Sequence, residues 1–505
     1  MCALIKIKTM KETRKAGVLC HISSLPGEYG IGSLGKEAFR FAKNLAASGV
    51  KIWQILPLVQ TGYGDSPYQS VSYNSGNPYF IDLEFLMKEK LLTKEEVKGA
   101  QRKRGERIDY ADLYETRYPL LRRAFSRFNF DGEIFRSWVK QGKYEDYALF
   151  MTAKTVFGGA FFEWEEPLKR HDPEALERLR TAYHEEYLFW HFLQFQFHRQ
   201  WQNLKNYCNA HGIAILGDLP LYVAYDSADV WAHPTLFKLD ETLRPTKVAG
   251  VPPDYFSENG QLWGNPVYDW AVHEGEGFRW WKKRLSDALS TYDYVRIDHF
   301  RGLDRYYEIP YGAETAREGA WQEGPKEKLF EGLEGQERII AEDLGTIDGG
   351  VLALLHKLGF PGMKVLLFAF DGNEENWHLP QNFGENCVVY TGTHDNDTVM
   401  GYVDSLTAEE YFLFRSRIAA ELERQKIFVK LGPHGECLPE ALAHIALASR
   451  ARIAVVPMQD ILELGSEDRM NSPGTSEGNW QFRLQKQPSA RAFRRLKKMI
   501  KIYRR

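Results

Sequence analysis

Short apolar runs that close on polar residues or on Gly and Pro recur eight times along the chain, and stretches with helical spacing separate most of them. The runs are Ala16–Ile22, Lys51–Leu58, Ile213–Val223, Asp293–Phe300, Arg338–Gly345, Met363–Phe370, Cys387–Asp395 and Arg452–Ile461. Helical periodicity is clearest over 36–48, 278–289 and 408–425. Strands that alternate with helices predict an α/β fold with a parallel sheet. Eight such units close most naturally into a (β/α)8 TIM barrel, whose active site lies at the C-terminal ends of its strands. A doubly wound open sheet is the structural alternative.

Two gaps are too long for simple connections: about 150 residues from Leu58 to Ile213 and about 70 from Val223 to Asp293. They predict large insertions after strands two and three. The expected division is 1–58 with strands one and two, 59–212 as a mainly helical insertion, 213–223 with strand three, 224–290 as a second insertion, and 291–505 with strands four to eight and a closing C-terminal helix. Tyr187, Trp190, Phe195, Phe197 and Trp201 recur at helical spacing within 173–212, which predicts a packed helix there. The tail from Pro488 to Arg505 carries eight Lys or Arg and no acid, with Phe493, Leu496, Ile500 and Tyr503 at helical spacing. Its apolar stripe needs a core to face, so a closing barrel helix is expected rather than a membrane or nucleic-acid contact.

Composition narrows the class. Hydrophobic residues at 44% and charged residues at 26% suit a globular protein, and no apolar run approaches the ~20 residues of a membrane span. A formal charge of −3 offers no global attraction to nucleic acid or anionic membrane, so a neutral partner fits better. The segment 1–14 lacks a sustained apolar core with a cleavage site, so a cytoplasmic location is expected. Five scattered cysteines without a CxxC pair predict free thiols and no zinc knuckle. The oligomeric state is not legible. An aromatic share of 14% permits sugar-stacking platforms, although aromatics mostly build cores.

Three motifs fail on context. Gly30-Ile31-Gly32-Ser33-Leu34-Gly35 satisfies GxGxxG, but it does not follow its strand directly, and the next strand ends Ile55-Leu56-Pro57-Leu58 without an acid for a ribose. An oxidoreductase is therefore not expected. Gly474-Thr475-Ser476-Glu477-Gly478 follows Asn471-Ser472-Pro473 instead of an apolar strand, so it is no nucleophile elbow. His184-Glu185 meets its next histidine at His191, outside the spacing for a shared zinc ion.

Three strand ends carry acids in polar clusters: Arg296-Ile297-Asp298-His299, Glu342-Asp343 and His394-Asp395-Asn396-Asp397. In a parallel barrel all three reach one rim, from strands taken here as nonadjacent. Glycoside cleavage needs such a set: one carboxylate attacks the anomeric carbon or aims a water, and another protonates the departing oxygen. Arg296, two residues before Asp298, falls on the same strand face and favours the ionised carboxylate.

These segments resemble the catalytic segments of amylomaltases, glycoside hydrolase family 77. Carrying the resemblance are Ile297-Asp298-His299-Phe300-Arg301-Gly302, Ala341-Glu342-Asp343-Leu344-Gly345 and Gly392-Thr393-His394-Asp395-Asn396-Asp397-Thr398. Gly64-Asp65-Ser66-Pro67-Tyr68-Gln69, Gly217-Asp218-Leu219-Pro220, Gly250-Val251-Pro252-Pro253-Asp254, Trp263-Gly264-Asn265-Pro266 and Arg469-Met470-Asn471 extend it over nearly the whole chain.

The resemblance implies a 4-α-glucanotransferase that works by retaining double displacement on an α-1,4-glucan donor and a sugar acceptor, without a cofactor or metal. It implies Asp298 as nucleophile, Glu342 as general acid and then base, and Asp395 gripping the sugar hydroxyls. Arg296, His299 and His394 would hold the sugar at the cleavage point, with Asp343, Asp371 and Asn471 near it. Ser66, Tyr68, Asp218, Asp254 and Trp263 would bind the glucan, and the Pro252-Pro253 loop would cover it. Tyr73-Asn74-Ser75 and Cys20 depart from the family pattern; the former bears on acceptor preference. Hydrolysis and transfer share the steps up to the glycosyl enzyme, so an α-amylase-like hydrolase is the enzyme alternative and a silent glucan-binding barrel the other.

Overall fold

In the computed structural model, which describes residues 14–505 apart from Tyr63, 104–106, 254–257, 433–434 and Ser476, twelve strands are defined. They are β1 (Lys15–Leu19), β2 (Ile52–Gln54), β3 (Ala214–Leu219), β4 (Lys247–Val251), β5 (Gln261–Pro266), β6 (Tyr294–Ile297), β7 (Arg305–Pro310), β8 (Ala320–Glu323), β9 (Ile339–Ala341), β10 (Gly362–Val365), β11 (Cys387–Tyr390) and β12 (Ile453–Pro457). Eight form one sheet in the order β10-β11-β12-β1-β2-β3-β6-β9, paired in parallel. Ala341 N–H donates to Pro361 O at 2.9 Å across the two free edges, so the sheet comes round to a nearly closed barrel. Each of the eight apolar runs supplies one of these strands, in chain order.

The strands read as unbroken apolar runs because neither face meets water. Ile453-Ala454-Val455-Val456-Pro457 is buried throughout, with side chains filling the barrel on one side and meeting helices on the other. Helix Lys36–Ala47 buries Ala38, Phe41, Ala42 and Leu45, a one-sided stripe, and sets Phe41 edge-on against Trp53 at 5.1 Å. The expected C-terminal helix spans Ala490–Tyr503; it buries Ala492, Phe493, Leu496, Met499 and Ile500 and turns its cations outward.

The single helix expected over 173–212 is two. Asp172 caps Pro173–Ala182 by accepting from the Glu174 and Ala175 N–H groups, and Tyr183, at φ −122° and ψ 40°, leaves helical geometry before the 27-residue helix His184–Ala210 begins. The buried aromatic stripe of the longer helix packs on its neighbours, with Phe189 and Phe192 each 5.6 Å from Phe125.

A second sheet was not anticipated. β4, β5, β7 and β8 pair antiparallel in the order β5-β4-β7-β8, on a small core of Val248, Tyr307, Ile309 and Ala316. Its strands come from both sides of β6 in the chain, and β5 interrupts its pattern with Gly264 and Pro266, which read as loop residues.

Candidate active site

Parallel pairing carries the acids to one end of the barrel. Asp298 follows β6, Glu342 follows β9, and Asp395 lies in the loop after β11. One expectation needs correction: β6 and β9 are hydrogen-bonded neighbours, with Ile297 opposite Ala341, so Asp298 and Glu342 stand side by side at adjoining strand ends. The Glu342 N–H donates to Ile297 O at 3.0 Å and fixes this adjacency.

Arg296 lies opposite Asp218 across the β3–β6 pair. Its Nη1 donates to Asp218 Oδ1 at 2.8 Å and Oδ2 at 2.7 Å, while Nη2 reaches Asp298 Oδ1 at 3.0 Å. One guanidinium therefore bridges two carboxylates, the same-face placement that a strand period of two requires. The Arg296 and Asp218 side chains are 3% and 0% exposed, whereas Asp298 is 27% exposed, so the pair forms the floor and Asp298 opens to the cleft.

Glu342 accepts the His299 N–H on Oε2 at 2.6 Å and the Leu344 N–H on Oε1 at 2.9 Å. His299 can present its N–H there because its backbone is left-handed, at φ 49° and ψ 46°, an uncommon conformation for a residue with a Cβ. Its ring meets the edge of Trp263 at 4.7 Å and 85°. On the opposite wall the Tyr68 ring stacks on His394 at 5.3 Å and 3°, while Tyr68 Oη donates to Asp218 Oδ2 at 2.8 Å. Ser66 Oγ accepts the Tyr68 N–H at 3.2 Å. Asp395 is held by Asn471, whose Nδ2 donates to Oδ1 at 2.7 Å, and its Oδ2 lies 3.3 Å from His394 Nε2.

These contacts join eleven of the expected site residues: Asp298, Glu342, Asp395, Arg296, His299, His394, Tyr68, Ser66, Asp218, Trp263 and Asn471. The other three differ. Asp343 turns onto β10, accepting the Met363 N–H and facing Lys364 Nζ at 3.5 Å. A Cβ at Gly362 would fall 2.4 Å from Asp343 Oδ2, so the glycine makes room for this carboxylate. Asp371 lies in an exposed turn, where it accepts from Asn373 N at 2.9 Å and Asn376 Nδ2 at 3.0 Å. Asp254 lies outside the described residues.

Burial pushes Asp298 well above the ordinary carboxylate range; Arg296 opposes this, and the charges of Asp218, Glu342 and Asp395 add to it. Glu342 is raised as well, by burial first, against Arg296 and the two backbone donors. Two neighbouring carboxylates in one buried site disfavour carrying charge together. Arg296, in direct contact with Asp298, favours the state in which Asp298 is charged and Glu342 carries the proton. Burial opposes the charge of Arg296 itself, but Asp218 and Asp298 outweigh it and keep the guanidinium protonated. Burial lowers His299 to about 3 and also lowers His394, so both rings are neutral near pH 7. His299 Nε2 is buried and has no hydrogen-bond partner among the described residues.

Several supporting residues were not among the expected site residues, although Gln69 and Asn265 lie in segments that carry the resemblance. Trp480 closes the wall behind Tyr68 and His394, at 5.6 Å and 6.1 Å, from a loop whose position only the fold reveals. Gln69 and Asn265 exchange side-chain amide bonds at 3.0 Å and 3.3 Å, tying the Tyr68 segment to the strand that carries Trp263. Asp460, after β12, accepts from Thr391 Oγ1 at 2.6 Å and Val399 N at 2.9 Å, bracing both ends of the loop that bears Asp395. Among the described residues no group of three or more His, Cys, Asp or Glu side chains is placed to hold a metal ion.

A parallel barrel with neighbouring acids at its C-terminal rim, one in contact with a buried arginine, has the architecture of a barrel enzyme acting on sugars. Residues 20–488 match the model of the family described as 4-alpha-glucanotransferase, so the chain belongs to this glycoside hydrolase family 77. It is 47% identical over 488 residues to the 4-alpha-glucanotransferase of Thermus thermophilus, covering 94% of this chain and 95% of that protein. Identity to the 4-alpha-glucanotransferase of Aquifex aeolicus is 43% over 497 residues, covering 97% and 99%. The structure of the Streptococcus agalactiae amylomaltase in complex with acarbose superposes with a TM-score of 0.90 at 38% identity, covering 97% of this chain and 99% of that one.

Proposed function

We propose that this protein is a 4-α-glucanotransferase that moves α-1,4-glucan segments from a maltooligosaccharide donor to a sugar acceptor. The observation that carries the reading is the contact of Arg296 Nη2 with Asp298 Oδ1 at 3.0 Å, with Glu342 on the adjoining strand end. Membership of the family and the names of its relatives supply the substrate class.

In the first step an Asp298 carboxylate oxygen bonds to the anomeric carbon as the C1–O bond breaks, and Glu342 gives its proton to the departing glucan oxygen. The His299 and Leu344 N–H groups stabilise the carboxylate that Glu342 becomes. In the second step an acceptor hydroxyl passes its proton to Glu342 and bonds to the anomeric carbon, and Asp298 leaves. Configuration at that carbon is retained. Asp395, braced by Asn471, accepts hydrogen bonds from ring hydroxyls as the sugar flattens. The neutral rings of His299 and His394 face the same sugar, and Tyr68 and Trp263 flank it as apolar surfaces. A covered cleft that excludes water favours acceptor sugars over hydrolysis.

No helix among the described residues is long and apolar enough to cross a membrane. Four cysteines, Cys20, Cys208, Cys387 and Cys437, are free thiols, which supports a reducing compartment and with it the cytoplasm as the place of action.

Incubation with maltotriose tests the reading. Glucose and a ladder of longer maltooligosaccharides should form at constant reducing ends, and Asp298→Asn should abolish both. Rising reducing ends without longer products would instead make the protein a hydrolase.

A further inference from the structure

At the end of the barrel opposite the acids, a concavity of about 710 Å³ opens among the N-terminal ends of β1, β2, β3 and β6 and the last residues of the C-terminal helix. Its lining includes Arg14, Lys15, Lys51, Arg338, Arg504 and Arg505, against Asp293 as the one acidic side chain. Part of this charge has a structural use. Arg14 and Arg505 donate to carbonyls at the C-terminal end of helix Leu438–Ala448, at 2.6 Å and 2.8 Å for Ser449 O, and compensate its dipole.

Lys15, Lys51 and Arg504 have no such use among the described residues, whereas Arg338 caps a helix end in the same way. Lys15 Nζ meets the Tyr294 hydroxyl at 2.8 Å, and Lys15, Lys51 and Arg504 have no acidic partner among the described residues. Arg338 donates to Leu289 O at 2.9 Å and lies 3.9 Å from Glu337. Asp293 is occupied by Asn209 Nδ2 and Ile215 N, each at 2.7 Å, and by Lys205 at 3.8 Å. Burial, and after it the charge of Arg14, brings Arg505 down to about 9. The backbone of Lys51 is fixed between its neighbours, since its N–H donates to Ala16 O and its carbonyl accepts from Ala214 N, both at 2.9 Å.

We propose that this N-terminal mouth of the barrel is a binding site for a small phosphate monoester, its phosphate held by Lys15, Lys51 and Arg504 and its body lying along Ile213 and Tyr294. The volume is that of a small-molecule site and exceeds what a bare phosphate ion fills. Ammonium and guanidinium groups without carboxylates gain most from an oxyanion with several acceptor oxygens.

Calorimetry on the full chain at fixed ionic strength tests this with glycerol 3-phosphate, AMP and inorganic phosphate, none of which carries a glucan. The monoesters should bind, and Lys51→Ala combined with Arg504→Ala should weaken them about tenfold or more, with maltotriose turnover unchanged as the check that the variant is folded. Binding of inorganic phosphate as tight as that of the monoesters would reduce the site to a phosphate-ion site and overturn the monoester assignment. Equal affinity in the variant, or heats no larger than those of matched sodium chloride, would overturn the site itself.

Discussion

Tyr68 and Asp218 stand 150 positions apart in the chain and meet through a 2.8 Å hydrogen bond from the tyrosine hydroxyl to Oδ2. The bond ties the wall that stacks on His394 to the buried Arg296–Asp218 pair, and through Arg296 to Asp298. Tyr68→Phe keeps the stacked ring and removes only this donor from a carboxylate that Arg296 still satisfies. A loss of about 1 kcal/mol in stability is expected, with kcat for maltotriose transfer reduced and KM little changed. Tyr68→Ala should raise KM as well, because the apolar surface goes with the ring. Equal KM in the two variants would show that the ring does not contact the sugar.

How far this site could be read beforehand depends on the distance over which each contact is set. Arg296 and Asp298 lie two apart on one strand, so their contact follows from strand geometry. The Tyr68–Asp218 bond does not, because only barrel closure and a long connection bring the segments together. Asp343 shows the converse: it adjoins Glu342 in the chain, but alternation along the strand end turns it onto β10 and the space left by Gly362. The eight barrel strands were legible because burial on both faces leaves unbroken apolar runs. β4, β5, β7 and β8 were not, since β5 and β8 are partly exposed, Gly264 and Pro266 interrupt β5, polar residues such as Arg305 and Glu308 break the apolar run of β7, and their partners lie on both sides of β6.

Asp460 gives the fold a pH dependence that can be isolated. Burial raises its carboxyl to about 6, against the hydrogen bonds from Thr391 and Val399. Below the unfolded value both states hold the proton and its contribution is complete. As pH rises toward 6 the unfolded chain releases the proton while the folded chain retains it, so stability falls until the folded group also ionises. Asp460→Asn stays neutral and can still accept from Val399 N. Urea unfolding at pH 4.5 and 7.5 should show the variant gaining on the parent with rising pH, by on the order of 3 kcal/mol at most. Parallel behaviour at the two pH values would mean that Asp460 is ionised in the folded protein throughout.

The left-handed backbone of His299 sets up a comparison between two truncations. His299→Ala and His299→Gly both remove the ring from Trp263 and from the sugar, so both should lose most transfer activity. They differ in the backbone. Alanine in this region costs about 1 kcal/mol that glycine does not, partly offset by the greater freedom of glycine in the unfolded chain. Thermal unfolding should therefore place the glycine variant level with or above the alanine variant, a reversal of the usual order. An alanine variant clearly the more stable would indicate that the loop relaxes out of the left-handed conformation, and the His299 N–H bond to Glu342 would then be lost too.

Trp263 bears on the choice between sugar and water. It lies on β5 and packs at 4.7 Å and 85° against the ring of His299, whose backbone N–H donates to Glu342. The bond from Trp263 Nε1 to Gln261 Oε1 of the same strand, at 3.1 Å, sets the indole, and the bonds of Gln69 to Asn265 tie the strand to the Tyr68 segment. Trp263→Ala leaves Asp298, Glu342 and Arg296 untouched, so the glycosyl enzyme should still form. Its resolution should change, because removing the indole opens the cleft to water and takes away an apolar surface for the acceptor ring. In the maltotriose assay reducing ends should begin to climb, and the yield of longer oligosaccharides per cleavage should fall severalfold, with the loss recovered in part at high acceptor concentration. If transfer and cleavage drop together while reducing ends stay constant, Trp263 supports donor binding alone and water is excluded elsewhere.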